Sequence, residues 1–174
     1  TGRRITFGEV KNYVCRLGNA FVDQLGLSKG DNVAVLWKDA IEYMAIYYAC
    51  ARVGMIAQPI NWRLGSDEMV RIFEDGSPSV LIASDDYSEQ VLQLKDKVDI
   101  AHWLSFGEGS DGSYSALVNS SVSTEPALSA DIGGDDPVLI LYTGGTTGES
   151  KGALHTHYSL YMGMINQTVA ERIV

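Results

Sequence analysis

Basic residues are scarce. Thirteen Lys and Arg stand against 22 Asp and Glu, a formal net charge of −9. A groove that follows a nucleic-acid backbone needs clustered cations, and none cluster here, so nucleic acid is not an expected partner. The same acidity disfavours an anionic membrane surface. No apolar run approaches the roughly 20 residues that cross a bilayer, so no transmembrane segment is expected. The start, Thr1-Gly2-Arg3-Arg4-Ile5-Thr6, lacks the apolar centre of a signal peptide. It also lacks an initiator Met, and the chain is read as beginning inside a longer product. Cysteine is nearly absent: Cys15 and Cys50 both lie in apolar helical stretches. They are expected as buried free thiols in a reducing, cytoplasmic compartment. Two isolated cysteines with no nearby His do not make a metal site, and no protein-held metal is expected. What remains is an ordinary globular composition, 45% hydrophobic and 20% charged over 174 residues, enough for one domain with a sizeable core. A polyanionic ligand would have to be held by a local device, backbone amides with one or two cations.

Helical and strand patterns alternate along the chain. Thr6-Phe7-Gly8-Glu9 reads as a capping box, followed by Val10, Tyr13, Val14, Leu17, Phe21 and Leu25 at helical spacing, with Gly26 closing the helix. The run 33–37 reads as a buried strand. A second capping box is expected at Asp39-Ala40-Ile41-Glu42, opening a helix that stops at Gly54. A strand over 55–60 follows, then a helix starting at Ser66-Asp67-Glu68 and ending at Asp75-Gly76. A strand over 80–83, a helix over 87–98 and a strand over 100–106 continue the pattern. The Gly-, Ser- and Asp-rich segment 107–137 is expected as surface loop around one short helix at 114–118. The alternation predicts an α/β fold with a mainly parallel sheet and helices on both faces.

A short buried strand is expected at Val138-Leu139-Ile140-Leu141-Tyr142. It runs into Thr143-Gly144-Gly145-Thr146-Thr147-Gly148-Glu149-Ser150-Lys151-Gly152. The glycines let the backbone approach a ligand closely. Threonine hydroxyls can donate to phosphate oxygens, successive amides form an anion nest, and Lys151 adds a mobile positive charge. These parts suit a triphosphate carried with Mg²⁺. The competing reading is an ordinary Gly/Thr hairpin turn with a surface lysine. The spacing fits neither a Walker loop nor G-x-G-x-x-G. A strand is expected at 153–156 and a helix from Tyr158-Ser159 through Leu160, Met164, Ile165, Val169 and Ile173. The loop therefore joins two strands instead of opening a helix. With few apolar anchors it is expected to be mobile between Thr143 and Ser150 when empty.

The run from Tyr142 to Gly152 resembles the phosphate-loop signature of the adenylate-forming superfamily, which holds acyl-CoA synthetases, peptide-synthetase adenylation domains and luciferases. The usual pattern is Y-T-S-G-T-T-G-x-P-K-G. Here Gly144 replaces the common Ser, as in many fatty acyl-CoA ligases, and Ser150 replaces the common Pro. Thr156-His157 resembles the T-H pair that commonly follows. Upstream, Gly30 to Leu36, Glu42-Tyr43, Ala49 to Gly54 and Pro59 to Leu64 resemble the early region of the same family, so the likeness spans nearly the whole chain.

The resemblance implies the first α/β subdomain of the large N-terminal domain, with residues 1–174 a partial adenylation domain whose second lobe and C-terminal domain are absent. It implies attack of a carboxylate, expected to be a fatty acid, on the α-phosphate of ATP, followed by transfer of the acyl group to CoA. Thr143, Gly144, Gly145, Thr146, Thr147, Gly148 and Lys151 would grip the β- and γ-phosphates, Lys151 acting in catalysis. An amino-acid- or aryl-acid-activating relative is the alternative, as is a non-catalytic nucleotide-binding module. The chain alone is expected to be inactive and to self-associate.

Other residues carry weaker signals. His157 is expected to line the site by the family match, against a structural imidazole; His155 is read as structural. His102 is read as core or surface. Asn61 and Arg63 follow a strand end, where ligands sit in open α/β sheets, but Arg63 is read as pinning a neighbouring loop. Tyr13, Tyr43, Tyr47 and Tyr48 are read as packing, and the Asp pairs 85–86 and 135–136 as caps or loop solvation.

Overall fold

The computed structural model describes residues 4–38, 40–107, 113–128, 130–144 and 150–171. The first helix starts where the capping box places it. Thr6 Oγ1 accepts from the Glu9 amide at 3.2 Å, and Glu9 Oε2 accepts from the Thr6 amide at 2.7 Å, satisfying two of the donors a helix start leaves orphaned. Helix α1, Phe7–Asn19, continues into a π-helical turn, Ala20–Gln24, and the chain turns at Gly26 with φ 66°. After strand β1, Asn32–Leu36, comes α2, Ile41–Val53. The expected cap at Asp39 does not start α2: the N-cap position is Ala40, which makes no side-chain cap bond, because the helix begins one residue later. Asp39 itself lies outside the described residues. Gly54 stops α2 at φ 76°, a conformation in which a side chain would be strained, and which donates its amide back to Cys50.

The chain continues through β2, Ile56–Pro59; α3, Ser66–Gly76; β3, Val80–Ser84; α4, Ser88–Lys95; β4, His102–Phe106; α5, Ser113–Ser120; β5, Pro137–Gly144; β6, Ser150–Thr156; and α6, His157–Glu171. A 3₁₀ turn, Asp85–Tyr87, opens the segment expected as one helix over 87–98, with the Ser84 hydroxyl accepting from the Asp86 amide. The strands form one sheet in the order β4-β3-β1-β2-β5-β6. β1 to β5 are parallel, and β6 returns antiparallel to β5.

β1 lies inside the sheet, and its side chains alternate between two cores. Val33 and Val35 pack with α1, α2 and α5, together with Leu17, Phe21, Ile46, Cys50 and Tyr114. Ala34 and Leu36 pack with α3 and α4, together with Met69, Ile72, Phe73 and Leu94. Full burial of such a side chain contributes roughly 1.5–3 kcal/mol. Period-two alternation in a sheet covered on both sides makes the run continuously apolar, as the sequence reads. Cys15 and Cys50 are buried free thiols, and burial pushes the Cys50 pKa far up. No helix of the described residues is long and apolar enough to cross a membrane.

Three expectations need correction. The segment around α5 is more than surface loop: Tyr114 and Val118 are buried, α5 packs against α1 and β4, and the Tyr114 hydroxyl accepts from the Tyr13 hydroxyl at 3.1 Å. Asn19 ties the following chain down by donating to the carbonyls of Val122 and Thr124 at 2.9 Å each. β5 is not a buried strand. Only Val138 is buried, because β5 meets β2 at the single register pair Ala57↔Leu139 and then leaves the sheet body with β6. α6 begins at His157, one residue before the expected start. Thr156 and Ser159 cap each other, Ser159 amide to Thr156 Oγ1 at 3.1 Å and Thr156 amide to Ser159 Oγ at 2.9 Å. α6 buries none of its residues.

Candidate functional site

The β5–β6 hairpin carries the candidate residues. Its two arms point to the carboxyl edge of the parallel strands, where open α/β sheets take their ligands. The register pairs Tyr142 with Gly152, Thr143 with Lys151 and Gly144 with Ser150. Alternation then sorts the side chains. Tyr142 packs toward the α3 side, among Ile72, Phe73 and their neighbours. Ser150 points the same way, donating its hydroxyl to Glu68 Oε1 at 2.9 Å. Thr143 and Lys151 face each other on the other side, and both are exposed.

The structure thus brings Thr143 and Lys151 together, with Gly144 beside them. Gly145, Thr146, Thr147 and Gly148 lie outside the described residues, as does most of the segment expected to be mobile. Among the described residues Lys151 has no ion-pair partner. A hydroxyl and an ammonium placed across a strand pair can donate to neighbouring oxygens of one anion. Among the described residues no group of three or more His, Cys, Asp or Glu could hold a metal ion.

His157 is not brought to this place. It sits at the far end of β6, about 20 Å from Lys151 at the ordinary strand rise. There it is half-buried, its amide donates to the Asp136 carbonyl at 3.1 Å, and its Nε2 is buried with no hydrogen-bond partner among the described residues. It borders a cleft of 440 Å³ with Phe7, Lys11, Tyr48 and Arg52, on the α1–α2 side. His155 is half-buried in β6 opposite Leu139. Arg63 lies over the Trp62 ring, 4.4 Å from its centroid, and its amide donates to Asn61 Oδ1 at 3.1 Å, so it braces the loop after β2. Lys38 approaches the same indole at 5.1 Å.

Sequence reasoning missed Glu68 and Asp75. Both lie on α3 and border, with Ser66, Arg71, Lys97 and Ser150, a polar cleft of 760 Å³. Asp75 Oδ2 accepts from the Tyr142 hydroxyl at 2.6 Å. Burial, and then this bond to a carboxylate, push the Tyr142 pKa well above its ordinary value. The two acids share a helix face by spacing, but nothing in the sequence says which strand that face meets.

Gly152 completes the arrangement. A methyl group there would stand 2.8 Å from Ile140 Cδ1 and 3.1 Å from Tyr142 Cζ. The Tyr142 ring crosses its strand partner where no side chain stands, and reaches Asp75 by that route.

The model of the family described as AMP-binding enzyme matches residues 1–173. The long-chain-fatty-acid–CoA ligase FadD13 of Mycobacterium tuberculosis is 32% identical over 165 residues, covering 92% of this chain and 31% of that protein. The indoleacetate–CoA ligase of Aromatoleum aromaticum is also 32% identical, over 166 residues, covering 94% of this chain and 32% of that protein. Among solved structures, the inhibitor-bound N-terminal domain of FACL13 from Mycobacterium tuberculosis superposes with a TM-score of 0.81 at 32% identity, covering 91% of this chain and 39% of that one. The chain spans about a third of the length of the curated relatives it matches. Fold, hairpin motif and a family match over nearly every residue agree, and the chain belongs to the AMP-binding enzyme family.

Proposed function

We propose that this chain serves as the amino-terminal α/β lobe of an ATP-dependent acid–thiol ligase and carries its phosphate-gripping hairpin. The observation that carries the reading is the pairing of Thr143 with Lys151 across the exposed mouth of β5–β6. In the reaction, a carboxylate oxygen attacks the α-phosphorus of ATP, and the bond to the bridging oxygen breaks. Pyrophosphate leaves and an acyl-adenylate remains. The CoA sulfur, having lost its proton, then attacks the acyl carbon and AMP departs. The Lys151 ammonium neutralises charge that grows on the leaving pyrophosphate, and the Thr143 hydroxyl and the amides of 144–148 donate to the β- and γ-phosphates. Mg²⁺ would arrive on the triphosphate and supply further charge neutralisation.

The acid is proposed to be fatty, on the Gly144-Gly145 form of the loop and the likeness to FadD13. An aryl acid is the second reading, because the indoleacetate ligase is as similar. A second copy of the chain is proposed to cover α6, whose Tyr158, Leu160, Tyr161, Met164 and Val169 are exposed.

The test has two parts. Mg·ATP and pyrophosphate binding to the 174-residue chain is measured by calorimetry, wild type against Lys151→Ala. ATP–pyrophosphate exchange is then measured with long-chain fatty acid, indoleacetate and acetate. It is run on the chain alone and on the chain joined to the remaining two thirds of FadD13. Exchange is expected only in the joined protein, fastest with fatty acid, because the lobe alone does not juxtapose carboxylate and α-phosphate. Absence of binding by the chain, or of exchange by the joined protein, would remove the reading.

A further inference from the structure

Thr143 and Lys151, which face the proposed phosphates, each have an immediate chain neighbour fastened to α3. Tyr142 precedes Thr143 on the incoming arm, and its hydroxyl donates to Asp75 Oδ2 at 2.6 Å. Ser150 precedes Lys151 on the outgoing arm, and its hydroxyl donates to Glu68 Oε1 at 2.9 Å. Glu68 and Asp75 lie two helical turns apart, about 10 Å along the axis, and so on one face. Beyond their own ladder and the packing of Tyr142 on the α3 side, little among the described residues holds the arms to the rest of the sheet. β6 is the last strand of the sheet, and β5 pairs with β2 only at Leu139, well before Tyr142.

We infer that Glu68 and Asp75 are positioning residues: α3 clamps both arms of the hairpin through Ser150 and Tyr142, and so fixes where the paired Thr143 and Lys151 stand over the sheet edge. The clamp rests on hydrogen bonds to carboxylates, which are stronger than neutral ones. It also gives a physical account of Ser150. The resembling pattern has Pro at this position, which stiffens the arm through its ring but has no hydroxyl to donate. A serine holds the same arm by a bond to a neighbouring helix. The functional half of this inference rests on the proposed phosphate-gripping role, whereas the clamp itself does not.

Two measurements separate those halves. Amide hydrogen exchange at Thr143, Lys151 and Gly152 is followed in the chain without nucleotide. A lost hydrogen bond to a charged group at a half-exposed site corresponds to about ten-fold in a local opening equilibrium. Ser150→Ala and Glu68→Ala are therefore expected to speed exchange at these amides about ten-fold, while exchange at Val33, Ala34 and Val35 stays unchanged. Ser150→Thr and Glu68→Gln, which keep a donor and an acceptor, are expected to behave as wild type. Unchanged hairpin exchange in the alanine variants, or an equal rise in β1, overturns the clamp. Pyrophosphate affinity is the second measurement, expected to fall about ten-fold in Ser150→Ala and to be retained in Ser150→Thr. Equal affinity in Ser150→Ala and wild type overturns the positioning role. If wild type binds no pyrophosphate while the exchange pattern is as expected, the phosphate reading fails and the clamp stands.

Discussion

Adding one methyl group at position 152 should loosen the hairpin. The Cβ of Gly152→Ala would lie 2.8 Å from Ile140 Cδ1 and 3.1 Å from both Ile140 Cγ1 and Tyr142 Cζ. The backbone at 152 has no positive φ, so the cost is steric and not conformational. Overpacking of this kind costs about 1–3 kcal/mol. Displacing the Tyr142 ring weakens its bond to Asp75, adding about 1 kcal/mol. Alanine offsets about 0.4–1 kcal/mol of this by restricting the unfolded chain. The net loss is about 1–3.5 kcal/mol, a fall in Tm of roughly 2–14 °C for a chain of this size. Thermal unfolding by circular dichroism measures it. Ile140→Val removes the nearest atom, so in the Gly152→Ala background it should recover part of the loss. A Tm that rises or stays level in Gly152→Ala, or an Ile140→Val change that rescues nothing, refutes the steric argument.

Lys151→Ala should raise the barrier to adenylation by about 2–4 kcal/mol, read as slower ATP–pyrophosphate exchange in a ligase of the relatives' full length carrying this lobe. An unchanged rate would take Lys151 out of the mechanism. Asp136 accepts from the Gly133 amide and pairs with Lys29, and both hold its pKa below the unfolded value of 3.8. A carboxylate depressed in this way stabilises above pH 3.8, and that contribution is lost as the pH falls through its folded pKa. The Tm difference between wild type and Asp136→Asn should therefore be present at pH 7 and shrink as the pH falls below 3.8; a gap that does not shrink on acidification contradicts it. Light scattering of the 174-residue chain should give a mass above the monomer, and Met164→Lys should return it to the monomer. A strictly monomeric wild type at high concentration would show that α6 needs no cover.

Much of the fold is legible because its signals are local. The Thr6–Glu9 box, the stop at Gly54 and the continuous apolar run through Val33 and Val35 each depend on a few adjacent residues. Strand order is not legible, since β3 pairs with β1 and not with β2, a choice made by packing across the whole chain. Exposure is equally hidden: Val138 to Tyr142 is as apolar as β1, yet only Val138 is buried. The Ser- and Gly-rich composition around Tyr114 disguises a residue that is 0% exposed. At the candidate site the motif names Thr143 and Lys151, and strand alternation explains why they meet. Glu68 and Asp75 are silent in the sequence because their partners lie far along the chain.

The single pair that joins β5 to β2 sets an order of events when the chain folds. β5 and β6 are joined by a short connection, and such hairpins close in roughly microseconds. Ala57 and Leu139 are about eighty residues apart, and long-range pairing has to overcome the entropy of closing that loop first. The pairings among β1, β2 and β3 close shorter loops than the pairing of β5 with β2, so the central sheet is expected to form before the hairpin docks on it. Residues that fasten it, Leu139 and Tyr142 among them, are then expected to make their contacts after the rate-limiting step. Substitutions there should speed unfolding and leave the folding rate almost unchanged, whereas changes at Val33 or Ile46 should slow folding itself.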